Sequence, residues 1–359
     1  MSIKSGTYYN ERELRTILDV DRESKQRIYM PNELFKDLVN SEDFKARKAN
    51  ATHIAFAFSY LYLASYMYRY ARFTYYEDYF GESFIDDSVI YKICNISPDS
   101  RGAAGVSYIT KKDGVLNKLN YIRKESDYPI RYKYEEDISG NKNYSEVYWK
   151  MLSDIKDELP SDVKLSRARK INFPVRAIYF DEESENKGIE NGYFFITANT
   201  TEIDINTFIF CMKHSDIGVV GFYLYSFLKC MNGYFRGEYN SSIEQLVIDT
   251  GIKSTKLSEV IKTLEAHNMI TNTHNTYVPF LPQDKHIPAN GYRTLERNQF
   301  TDLRKDVAVR KVMSQATYEK KGGKYLCDSS SIEEDDDDQL NDIPLLNSTF
   351  FGTNLQESI

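Results

Sequence analysis

Two stretches of the chain are apolar almost all the way round a helix: residues 53–72 (HIAFAFSYLYLASYMYRYAR) and 217–231 (IGVVGFYLYSFLKCM). Such a pattern marks helices buried in a core rather than laid on its surface. A different pattern occupies residues 242–278. Ile243, Leu246 and Val247 recur at helical spacing, and Gly251 follows where a turn needs a residue tolerant of positive φ. Ser254 or Thr255 is placed to cap a second helix with an apolar stripe of Leu257, Val260, Ile261 and Leu264. The opposite face carries Lys256, Ser258, Glu259, Lys262 and Thr263. Beyond it, 269–273 and 276–278 read as strands around a two-residue turn at His274 and Asn275.

The first half offers a looser version of the same order. After the 53–72 helix, residues 85–95 read as a short helix with Asp86 or Asp87 at its positive end. Residues 101–112 follow as a candidate second helix, ended by Gly114 as a left-handed cap. The low helix propensity of Gly102 and Gly105 argues for a loop there instead. Two strands around Ser126 and Asp127 would complete a hairpin. Between Arg101 and Lys133 there are eight bases against three acids, so this half is locally positive. Its alternative is a structural helical domain that pairs two chains through the aromatic helix.

The remaining segments are assigned by pattern. Residues 1–49 read as a loosely held polar arm with short helices at 11–18 and 32–38. Residues 136–205 read as a linker with an amphipathic helix at 144–158, on which Trp149 is a packing anchor. Arg167, Arg169, Lys170 and Arg176 form a basic run, followed by a charged loop at 182–192, a strand at 193–197 and a helix at 204–212. Residues 284–327 carry ten bases from Lys285 to Cys327 against four acids, with helical periodicity over 292–320. The predicted fold class is α+β, mainly helical: modules at 50–135 and 206–283 joined by the linker, a basic helical extension, and an acidic tail at 328–359 too poor in apolar residues to fold.

The segment 242–278 resembles the winged-helix DNA-binding domains of bacterial and phage regulators and replication initiators. The FYLYSFL core of the 217–231 helix is similar to the first helix of Gram-positive plasmid and phage replication proteins. The resemblance covers roughly residues 206–281 and implies tandem winged helices. In that arrangement the second helix enters the major groove and the hairpin touches the backbone beside it. On this reading Lys253, Lys256 and Lys262 meet phosphates or guanine edges, and Ser254, Thr255 and Ser258 contact DNA at the helix start. His274 and Asn275 lie in the wing. Arg101, Lys111, Lys112, Arg123, Lys124 and Arg131 supply the first module's contacts.

Charge changes the picture less than its total implies. The 359-residue chain carries a net charge of −7. From Asp328 onward there are nine acids and no bases, which leaves 46 bases against 44 acids in residues 1–327. An acidic total therefore does not exclude a nucleic-acid partner. The tail joins the acid run 333–338 to an apolar Ile343-Pro344-Leu345-Leu346 patch, resembling the acidic tips of bacterial single-strand binding proteins. It reads as a solubilising tail, a recruiter of host replication proteins, or a mimic of DNA on the protein's own basic face.

Catalytic chemistry finds no footing. There is no GxxxxGK[ST] loop, no GxSxG and no HExxH. The five histidines include no His-x-His pair for a nuclease of the rolling-circle type, and the four cysteines are scattered with no CxxC. No cofactor and no metal are expected, and the protein is not expected to be an enzyme. With no secretory h-region and no uninterrupted membrane-length apolar run, a cytoplasmic protein free of the membrane is expected. The expected function is sequence-specific double-stranded DNA binding, foremost replication initiation at the origin repeats of a plasmid or phage. A transcriptional regulator on a promoter operator, or a non-enzymatic protein scaffold, are the alternatives, and a homodimer is compatible with each.

Overall fold

The computed structural model describes residues 9–47, 50–77, 81–96, 105–136, 139–140, 142–155, 170–177, 199–279, 281, 289–308 and 312–320. It is a mixed α/β protein in which helices carry the core and strands form small antiparallel sheets. No described helix is long and apolar enough to cross a membrane.

Helix α1 (Glu11–Leu18), strand β1 (Arg27–Pro31), helix α2 (Glu33–Asn40) and helix α3 (Glu42–Arg47) lead to the long helix α4 (Ala51–Arg69). Strand β8 (Thr200–Asp204) and helix α9 (Ile205–Lys213) lead in the same way to the long helix α10 (Gly218–Phe235). β1 and β8 pair antiparallel with Tyr29 opposite Glu202, so the two strand–helix–long-helix units face each other across that ladder. The aromatic contacts repeat on both sides. Phe35 of α2 stacks on Phe58 of α4 at 5.0 Å, and Phe208 of α9 meets Phe222 of α10 at 5.0 Å. Phe58 and Phe222 then meet each other at 5.8 Å where the long helices pack.

The N-terminal arm does not materialise over its described residues. Helices at 11–18 and 33–40 form close to the expected bounds, yet Leu14, Ile17, Leu18, Ile28, Met30, Leu34 and Phe35 are buried in the central core. β1 must pair with β8, and α2 must cover α4, for either long helix to be enclosed. Chain order concealed this, because the partner strand lies some 170 residues away.

The tyrosine content has a structural account. Tyr62 donates to the Ile203 carbonyl at 3.2 Å, Tyr66 to Leu18 O at 2.9 Å, Tyr223 to Thr250 O at 3.2 Å and Tyr225 to Leu295 O at 2.8 Å. Each ring fills core volume while its hydroxyl satisfies a carbonyl at an element's end. Burial pushes the phenols of Tyr62, Tyr66, Tyr223 and Tyr225 upward, so they remain neutral donors. Cys94, Cys211 and Cys230 are buried free thiols, likewise raised by burial.

After α4 come strands β2 (Thr74–Glu77) and β3 (Gly81–Phe84), then helix α5 (Asp87–Ile93); Asp86 stands at its start, as expected, and caps it by accepting from Val89 N–H. Over its described residues, 105–112, the helix expected at 101–112 is not continuous. Its described part is one turn, α6 (Ser107–Thr110), followed by a second, α7 (Val115–Lys118). Gly114 is extended at φ −82°, not left-handed, and Asp113 takes the positive φ instead. A Cβ on Gly114 would sit 2.4 Å from Tyr108 O and 2.8 Å from Lys111 O. Close backbone approach is therefore what requires glycine there. Gly114→Ala should destabilise by roughly 1–3 kcal/mol in equilibrium urea unfolding; a neutral result would mean that the turn relaxes without cost.

The strands flanking Ser126 and Asp127 both exist, but they do not pair with one another. β4 (Ile122–Glu125) pairs with β7 (Ile171–Pro174), and β5 (Pro129–Glu136) pairs with β6 (Lys142–Met151). β6 replaces most of the helix expected over 144–158; among described residues only α8 (Leu152–Ile155) is helical there. Tyr132 and Trp149 face each other across the β5–β6 ladder, and Trp149 Nε1 donates to Arg69 O at 3.2 Å. Alternation with a strand partner overrode the helical period. The strand expected at 193–197 and the loop at 182–192 lie outside the described residues, as does the acidic tail.

Candidate nucleic-acid interface

Beyond α10, strand β9 (Tyr239–Asn240) leads into helix α11 (Ile243–Thr250), helix α12 (Ser254–Ala266), and strands β10 (Ile270–Asn272) and β11 (Gly291–Thr294). Ser242 caps α11 by accepting from Gln245 N–H at 3.1 Å. Gly251 turns the chain at φ 68°, and its Cα packs so closely on Ile54 that an added Cβ would lie 2.8 Å from Cδ1. Positive φ and close packing both fix glycine at this corner.

α12 presents two different faces. Leu257, Val260, Ile261 and Leu264 are buried against the core. Lys253, Ser254, Thr255, Lys256 and Lys262 are exposed, and Ser258 is half-buried. Thr263, expected on the outer face, is buried and donates to Glu259 O at 3.0 Å. The N-cap is Lys253, not Ser254 or Thr255, and no side chain caps the helix. Its first-turn N–H groups are therefore open to solvent or a ligand. Lys256 sits 3.4 Å from Glu259, an exposed pair of the kind that contributes little to stability.

The hairpin expected around His274 and Asn275 is not formed. β10 pairs with β11 (Thr271 opposite Arg293), and β11 with β9 (Tyr292 opposite Tyr239), giving sheet order β10-β11-β9. His274 Nε2 lies 2.7 Å from Glu265 Oε1, and Asn275 Nδ2 donates to Ala289 O at 2.9 Å. Both residues hold the chain between β10 and β11 together and are not displayed to a ligand. A nearby His-Asn pair looks like a turn, but the strand able to complete the sheet arrives about twenty residues later. The helix expected over 292–320 gives way for the same reason. Its first residues form β11, and the described remainder is a 3₁₀ turn at Arg297–Gln299 and a short helix α13 (Gln315–Lys320).

The first half does not gather its candidate residues on one helix. Arg101 lies outside the described residues. Lys111 and Lys112 are exposed in the turn after α6. Arg123 pairs with Glu125 and lies 5.1 Å over the Phe173 ring. Lys124 lines a cavity of about 270 Å³ with Tyr60, Asp87 and Asn172, where burial lowers its ammonium pKa. Arg176, from the expected basic linker run, stacks 4.3 Å over Tyr121 and sits 3.2 Å from Glu33.

Arg131 stands apart from these. It is exposed on β5, directly across from Lys150 of β6, with Lys133 two residues on and also exposed. Their alternates, Tyr132 and Trp149, turn inward. The long hairpin therefore has an outward cationic face that sequence reasoning missed, because residues from 144 onward were read as a helix. Arg293, exposed on β11 opposite Thr271, was likewise placed in a helix. The detectable signal was Tyr132-x-Tyr134 alternating with Arg131-x-Lys133.

No family model, no curated protein and no solved structure matches the chain.

Proposed function

We propose that the chain binds double-stranded DNA, with α11, α12 and the β10-β11-β9 sheet acting as a winged helix. The observation that carries this reading is the split of α12: one side locked into the core, the other an exposed array of Lys253, Ser254, Thr255, Lys256 and Lys262 at its uncapped start. A helix held rigidly from behind, with donors at its N-terminal end, suits insertion into a major groove. Arg293 on the adjoining sheet would meet the phosphate backbone beside that groove.

The first half, on this reading, contributes phosphate contacts through the outer face of the β5–β6 hairpin. A short-helix pair, α6 and α7, stands where a recognition helix would be, so sequence reading belongs to α12. Replication initiation for a plasmid or phage is the biological role favoured by resemblance of the α10 segment to such proteins. Regulation of transcription uses the same contacts.

The decisive experiment measures affinity against salt for duplexes from the protein's own gene and flanks, beside a scrambled duplex. Strong discrimination with protection of an iterated array supports initiation; a single site over a promoter supports regulation. Absence of binding at low salt would retire the DNA reading. In the same assay, the triple variant Arg131→Ala, Lys133→Ala and Lys150→Ala should weaken specific and scrambled duplexes alike. It should flatten the salt slope by up to about three units, and an unchanged slope would remove the hairpin from the interface.

A further inference from the structure

Three metal-ligand side chains converge at the C-terminal end of α12. His214 closes α9, Asp216 follows two residues later in the loop to α10, and His267 closes α12. One donor atom of each lies within 4.8 Å of the other two. Sequence spacing hid the cluster, since His214 and His267 come from different elements and neither belongs to a His-x-His pair.

The hydrogen bonding of His267 is the informative detail. Its ring is 2% exposed. Nδ1 lies 2.9 Å from the Thr301 carbonyl oxygen and Nε2 lies 3.1 Å from Asp216 Oδ2. Both neighbours are acceptors, whereas a neutral imidazole has a single N–H. With an N–H donated to Thr301 O, the Nε2 lone pair is available to a cation shared with Asp216; a second proton on Nε2 is the alternative occupant of that position. Metal-ligating histidines characteristically donate their second nitrogen to a backbone carbonyl or carboxylate, which fixes the tautomer and aims the other lone pair at the ion. His214 is held similarly, with Nε2 3.0 Å from Asp302 Oδ1. The two imidazole rings lie 4.6 Å apart, tilted by 49°.

We propose that His214, Asp216 and His267 form a binding site for a divalent transition ion, zinc first among them. Two imidazole nitrogens and one carboxylate oxygen are a donor set zinc accepts, with the fourth position left to water. Zinc–nitrogen bonds of about 2.0–2.1 Å place tetrahedral donors about 3.4 Å apart, so the cluster closes by up to about 1.4 Å. The loop position of Asp216 permits that movement. Lys213, 2.6 Å from Asp302, and Arg304, 3.6 Å from Asp216, already share the carboxylates. Zinc must displace Arg304, which keeps affinity moderate. The bound ion would tie the end of α12 to the start of α10. None of this depends on the DNA reading.

The test uses the full-length, untagged chain, stripped with a chelator and titrated with Zn²⁺ by calorimetry, with Co²⁺ absorption as a coordination signature. One ion per chain at a Kd in the micromolar range, with a raised thermal midpoint, is expected. His214→Ala and Asp216→Asn should each weaken binding by at least about tenfold. Because His267 is buried, His267→Gln is scored only against its own circular dichroism, and the two outer variants carry the decision. No binding up to about 1 mM Zn²⁺, or equal affinity in the folded His214→Ala variant, would overturn the site and leave an ion-pair cluster.

Discussion

Phe222→Ala is expected to cost about 3–5 kcal/mol of stability. Phe222 is fully buried and touches Phe208 at 5.0 Å, Tyr62 at 5.1 Å and Phe58 at 5.8 Å. Those partners come from both halves, so the cavity would open where α4 and α10 meet and neither helix can collapse alone to fill it. Since one hydrophobic core runs from Leu14 to Phe300, both halves should melt in a single cooperative transition at a lower midpoint. Urea unfolding followed by tyrosine fluorescence and far-UV circular dichroism measures it. Two separated transitions, or a loss below about 1 kcal/mol, would mean that the halves are not stabilised through this contact.

Lys256→Ala and Lys262→Ala together should abolish most specific DNA binding while leaving the fold intact. Both side chains are exposed, and removing the Lys256–Glu259 pair should change stability by no more than about 0.5 kcal/mol. Each lost phosphate contact flattens the plot of log affinity against log salt by about one unit. A lost guanine contact costs about 1–3 kcal/mol and relaxes discrimination at one base pair. Comparing specific and scrambled duplexes separates the two roles. Unchanged affinity with unchanged thermal midpoint would move the reading surface away from α12.

What was legible in the sequence was local. The two all-round apolar helices, the Gly251 corner and the buried stripe of α12 are each specified within a dozen residues, by side-chain periodicity and one or two backbone-permissive positions. The outward bases of α12 follow from the same period, because fixing the buried face fixes the exposed one. Strand partners were not legible. β10 waits for β11, β4 for β7 and β1 for β8, and ladder pairing depends on which edges the packed helices bring together, not on nearest turns. Tertiary structure alone therefore decided that residues 11–47 belong to the core, that β5 and β6 form a cationic hairpin, and that His274 and Asn275 serve the fold. It also decided that His214, Asp216 and His267 meet, since a cluster drawn from two helix ends and a loop has no period for the chain to display.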